Sequence, residues 1–158
     1  MINPIFSIAG KNYRQMAPLL LRMTVGFGFM AHGWAKLIKG PEAFGNLLAQ
    51  IHVPFPHALA WISTLTELIG GLAMFIGFAV SITALPLIGI MLVAMFGIQI
   101  NYGYSSVKTI GLTPDGPIFG PPGYEINLLY IAALISLLIS GGGMFSVDSV
   151  LAPKRGTN

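Results

Sequence analysis

The stretch from His57 to Phe78 reads HALAWISTLTELIGGLAMFIGF, twenty-two residues in which Glu67 carries the only charge apart from the terminal histidine. A helix that crosses a bilayer takes about 20 predominantly apolar residues, so this segment is long enough to span. It is too long and too continuous for the roughly ten-residue strands of alternating polarity that build membrane barrels. A helix also satisfies its own backbone where no water is at hand. Three further apolar runs flank it, at about 15–37, 80–100 and 125–143. The sequence therefore predicts an all-α integral membrane protein, with residues 1–158 forming one four-helix bundle whose spans are 15–37, 57–78, 80–100 and 125–143.

Composition points the same way. Of the 158 residues, 54% are hydrophobic and only 8% charged, against about 25% charged in a soluble domain. That is too little charge to wet a soluble surface, and the length leaves no room for a large aqueous domain. The net charge of +3 lacks the clustered basic face of a nucleic-acid binder, so the expected partner is the lipid bilayer, not a nucleic acid. With no cysteine, the chain cannot use thiol–disulfide chemistry or hold an iron–sulfur cluster through thiolates. The residues before Arg14 lack the ordered regions of a cleaved signal peptide and read as an interfacial lead-in.

Two loops separate the spans. The first, KGPEAFGNLLAQIHVPFP (39–56), has a middle suited to a short interfacial helix. The second, Asn101 to Tyr124, is rich in Gly and Pro and is expected to cover one end of the bundle as a lid. Lys11, Arg14, Lys154 and Arg155 fall on one side and Lys36, Lys39 and Lys108 on the other. That bias places both termini in the cytoplasm of a multi-pass cell (inner) membrane protein. In the second span Thr66, Gly70, Ala73 and Gly77 form a small-residue stripe suited to close helix contact.

Ionisable groups at membrane depth are costly and each asks for a partner or a function. On the first helix Arg22, His32 and Lys36 fall within an arc of about 80° and point inward together. Glu67 lies about 6 Å in depth from Arg22 and about 9 Å from His32, which predicts an Arg22–Glu67 pair. Gln99, Glu125 and Asn127 belong near the same outer level as His32 and Lys36. These seven residues are the candidates for ligand binding or proton relay, above an apolar floor of Phe, Met, Leu and Ile. A structural clasp is the competing reading of Arg22 and Glu67, and snorkelling to headgroups that of Lys36. His52 and His57 lack metal-site spacing, so no metal is expected. No nucleophile, phosphate-binding or dinucleotide motif occurs.

The residues also resemble a known family. LLRMTVGFGFMAHGWAKL is similar to the opening motif of the DoxX family, an Arg and glycines followed by HGWxK, here Arg22, Gly26, His32, Gly33, Trp34 and Lys36. TELIGGLAMFIGF resembles the family's Glu with paired glycines, Glu67, Gly70 and Gly71. YEINLLYIAALISLLISGGGMFSVDSVL resembles its Glu-containing start and terminal Gly-x-Gly-x-x-Ser-x-Asp, here Glu125, Gly141, Gly143, Ser146 and Asp148. Gly142 and Met144 stand where the family often has Pro and a basic residue.

The resemblance implies a small membrane subunit linked to thiosulfate:quinone oxidoreductase or to another membrane redox or oxidative-stress system. Quinone is then the expected ligand. Because the chain offers no electron carrier of its own, such a role calls for a redox-protein partner. A non-enzymatic assembly, anchoring or small-ligand-binding subunit is the alternative. A small transporter, which would need a homo-oligomer to enclose enough volume, stands behind it.

Overall fold

The computed structural model describes residues 16–151. Lys11, Arg14, Lys154 and Arg155, on which the orientation expectation rests, and the interfacial lead-in lie outside the described residues, as do the expected first residue of the first span and the ends of the expected 1–158 domain.

The chain folds mostly into helices. α1 is Met16–Lys39, α2 Pro41–Gln50 and α3 Pro56–Leu65. A π-helical turn, Thr66–Gly70, runs on from α3 and leads directly into α4, Gly71–Ile76. α5 is Val80–Gly97, and a 3-10 turn, Gln99–Tyr102, follows it. β1 (Thr109–Thr113) and β2 (Gly116–Phe119) pair as an antiparallel hairpin. α6 is Glu125–Ser140 and α7 Val147–Leu151. Two of these rods, Pro56–Ile76 and Val80–Gly97, are long and apolar enough to cross a membrane. α6 is apolar but has 16 residues, and α1 is longer, with 24 residues, but carries Arg22, Lys36 and Lys39.

The hairpin corrects the all-α expectation. Thr113-Pro114-Asp115-Gly116 is a strong turn sequence, with Pro fixing one φ and Gly116 taking φ 129°. The short apolar stretches on either side then pair, although Gly and Pro dominate the loop. The fourth helix also stops at Ser140 rather than reaching residue 143, because Gly141 (φ 72°) and Gly143 (φ 67°) leave the helical region. The short helix expected in the first loop is α2.

The four long rods pack in a ring: α1 against α3–α4 and α6, α6 against α5, and α5 against the π turn and α4. The closest seam lies between α1 and the second rod. A Cβ on Gly26 would come within 2.7 Å of the Gly71 carbonyl oxygen, and one on Gly33 within 2.9 Å of the Leu68 amide. Gly71 meets the Met30 backbone in the same way, at 2.8 Å. Such contacts leave no room for a Cβ at Gly26, Gly33 or Gly71. The expected stripe through Gly70 is therefore turned by one residue: Gly70 faces Leu87 of α5, and Gly71 makes the seam.

Val25, Phe29, Met74, Val80, Ala84, Leu87, Leu134 and Leu137 form the buried core. They fill the half of the ring nearest the Gly77 turn. Outward faces are apolar as well: Phe27, Ile69, Ile82, Leu129 and Ile139 are each more than 60% exposed. An apolar exterior on this scale is a surface for lipid rather than for water.

Candidate functional site

Polar groups gather at the two ends of the ring. At the first end α4 stops in a Schellman motif: Gly77 takes φ 77°, Phe78 N donates to Ala73 O (2.8 Å) and Gly77 N to Met74 O (3.2 Å). The Phe75 carbonyl is left over. Arg22, only 2% exposed, donates to it through Nη1 at 2.5 Å. Its Nη2 donates to Phe145 O at 2.5 Å and its Nε to Gly142 O at 3.1 Å. One guanidinium thus ties the end of the second rod to the segment after α6. Asp148 completes the knot. Its carboxylate accepts from Ala79 N (2.6 Å) and Val80 N (3.0 Å), capping α5, while its own N–H donates to Gly77 O (3.0 Å). Ser146, 2% exposed, donates to Gly143 O at 2.7 Å and accepts from Ser149 N at 3.1 Å. A Cβ on Gly77 would collide with Ser146 Cβ at 2.5 Å, so this turn needs glycine for space as well as for φ.

The expected Arg22–Glu67 pair does not form. Glu67 pairs with Lys36 instead: Nζ lies 2.6 Å from Oε1. Lys36 Nζ also donates to Ser63 Oγ at 3.0 Å and stands 4.1 Å above the Phe44 ring. Register explains the exchange of partner. The glycine seam sets Gly33 beside Leu68 and Gly26 beside Phe75. Glu67 is therefore level with Trp34, twelve residues or about 18 Å of helix from Arg22 and half a turn from Lys36.

At this second end the rods line a partly open cavity of about 570 Å³. Of the seven residues singled out in the sequence, His32, Lys36, Glu67, Gln99 and Asn127 line it. Arg22 belongs to the knot at the opposite end. Glu125 does not line the cavity either; its Oε2 accepts from Ser106 N at 3.0 Å and anchors the start of the loop before the hairpin. His32 is at the wall but exposed, while Glu67 and Asn127 are each only 2% exposed.

Three of the lining residues carry buried oxygens that meet no donor from the described residues: Glu67 Oε2, Gln99 Oε1 and Asn127 Oδ1. Buried polar groups are normally paired, so three unpartnered oxygens on residues that line one cavity mark it off from the rest of the bundle. The remaining walls are apolar, from Ile51, Leu59, Ile62, Ile90, Val93 and Ile98.

Several contributors escaped the sequence reading. Phe44 and Leu48 of α2, with Ile51 and Val53 beyond it, cover the cavity. Of the loop expected to be the lid, Pro122 is the residue that reaches the lining. Ser63 precedes Glu67 by one turn, a spacing that could have flagged it. The π turn holding Glu67 has no such signal, yet single π turns recur at functional sites because they turn side chains out of register. Pro86 and Gly89 face the cavity from α5, and a Cβ on Gly89 would meet nothing within 4 Å.

Among the described residues no group of His, Asp or Glu is placed to hold a metal ion. No curated protein and no solved structure matches the chain. The apolar exterior and the two rods long enough to cross make this a membrane protein in contact with lipid. A family model, DoxX, matches residues 17–99, more than half of the chain and the part that supplies His32, Lys36, Glu67 and Gln99, and the chain belongs to the DoxX family.

Proposed function

We propose that this chain is a multi-pass subunit of the cell membrane that binds a quinone-class lipid in the cavity and presents it to a redox-protein partner. The observation that carries this reading is the cavity itself: apolar walls with a polar cluster of Lys36, Glu67, Gln99 and Asn127. An apolar slot with a few convergent polar groups is the usual form of a small-molecule site, and a quinone head and tail need both parts. Proton exchange with a bound head group falls to the Lys36–Glu67 pair, with His32 at the mouth. Electrons come from the partner.

In this reading all four rods cross the bilayer, with the cavity end outward and both termini in the cytoplasm. At about 24 Å of helix α6 is short for a 30 Å hydrocarbon core, and residues 141–151 complete its crossing at the knot end. The cysteine-free sequence makes topology easy to test: a single cysteine at Asp115 should react with an impermeant maleimide in intact cells, and one at Val150 should not. The reverse pattern would invert the orientation.

Function is tested by purifying the protein in mild detergent and extracting it with organic solvent. Isoprenoid quinone at close to one per protein supports the reading. A lipid-free protein that instead retains a protein partner supports the anchoring alternative.

A further inference from the structure

We infer that the cavity opens sideways into the bilayer through a slot between the second rod and α5, and that a single-tailed lipid enters there and leaves its hydrocarbon tail in the slot. The inference rests on the reading of the cavity as a quinone-class site and adds the route and the tail site. Two stripes line the same space from neighbouring rods: Leu59, Ile62 and Thr66 from the second rod, and Pro86, Gly89 and Val93 from α5. Each follows the i, i+3, i+7 spacing of one helix face. All but Thr66 are exposed, Ile62 and Val93 at 58% each. A cavity whose wall residues are also surface residues is open on that side. Pro86 and Gly89 stand at the middle of α5 (Val80–Gly97), so the opening lies at the depth of the hydrocarbon core. The end of the cavity, by contrast, is covered by Phe44, Leu48, Ile51 and Val53.

The rods part for local reasons. They touch at Gly70 and Leu87, where a Cβ on Gly70 would come within 3.2 Å of Leu87 Cδ2. Two residues further along α5, a Cβ on Gly89 would meet no atom beyond its own stretch of helix within 4 Å. Pro86 offers no N–H to the carbonyl one turn back, which loosens α5 here. On the facing rod the π turn shifts the helical phase. A ligand that arrives head first passes its ring between the stripes towards Lys36 and Glu67 and keeps its tail against Ile62 and Val93. The other exposed lining residues, His32, Pro122 and Ile126, stand singly on α1, the loop and α6 and form no stripe. They mark the rival way in.

The sequence has no cysteine, so the slot can be bridged at chosen points. The test uses the full-length Ile62→Cys/Val93→Cys variant in lipid nanodiscs, a bis-maleimide, and decyl-ubiquinone as the probe. Order of addition decides. Bridged while empty, the protein should take up less than about a tenth of the probe that the unbridged variant takes up. Bridged after loading, it should release the probe into empty discs about tenfold more slowly. Should the bridge not form, a pyrenyl maleimide on either single cysteine is read in the same way. The same adduct on Ile139→Cys, exposed and outside the cavity lining, should change neither uptake nor release. Blocked uptake without slowed release means that the bridge spoils the site, and overturns the inference. Unchanged uptake and release overturn it in favour of entry beside His32 and Ile126, and leave the quinone-class reading intact. No retention of the probe by the unmodified wild type overturns both.

Discussion

The two polar ends of this protein use similar residues to opposite effect. Around Arg22 each nitrogen of the guanidinium meets a carbonyl, and Asp148 caps the helix that begins beside it. Around the equally buried Glu67, three oxygens meet no donor from the described residues, next to a cavity of about 570 Å³. A charged residue in a membrane helix is by default a functional candidate. Satisfaction separates the two cases: the Arg22 group ends all its hydrogen bonds on its own chain, as a clasp does, and the Glu67 group, with capacity to spare, is the candidate for a ligand.

Substitutions can break or sharpen this contrast. The largest expected effect is at Arg22. Arg22→Met strands the Phe75, Gly142 and Phe145 carbonyls and removes three charge-assisted bonds, so unfolding in detergent should lose about 3–5 kcal/mol. An unchanged melting temperature would remove the knot from the account. Asp148→Ala comes next, costing about 1–2 kcal/mol through the lost cap of α5. Both variants should retain ligand in proportion to the folded protein that remains.

Glu67→Gln should cost less than Arg22→Met, about 1–2 kcal/mol, although Glu67 is as deeply buried. The Lys36 side chain is 22% exposed and can reach outward when its partner is gone. Ligand retention should fall far more than stability. In the rim pair of Glu42 and His57, 2.7 Å apart and more than half exposed, Glu42→Gln should move stability by no more than about 0.5 kcal/mol. Melting curves and extracted lipid, measured on the same preparations, separate these outcomes.

The sequence made the long helices legible because apolar runs of this length have one solution in lipid. It also points, from depth and helical phase, to His32, Lys36, Glu67, Gln99 and Asn127, five residues of the candidate site that line one cavity. What failed was the register between helices. Gly26, Gly33 and Gly71 fix it through backbone contact, and hydropathy holds no record of which glycine meets which. A slip in that register exchanged Arg22 for Lys36 as the partner of Glu67. The hairpin was masked by Gly and Pro in its loop, though the Thr113–Gly116 turn was there to be read. The role of the GGGMFSVD segment as the closure of the Arg22 knot depends on contacts across 120 residues of sequence, which no local pattern carries.

Gly89 offers the most direct test, because it lines the cavity and a Cβ added there meets no atom beyond its own stretch of helix within 4 Å. Gly89→Leu should fill the space without disturbing the ring, and replacing a mid-helix glycine should leave stability unchanged or raise it by up to about 1 kcal/mol. The decisive measurement is the quinone-to-protein ratio after mild-detergent purification, with the melting temperature of the same samples. The account expects close to one quinone per wild-type protein, and a background level in Gly89→Leu at an equal or higher melting temperature. Undiminished quinone in a well-folded Gly89→Leu would contradict it.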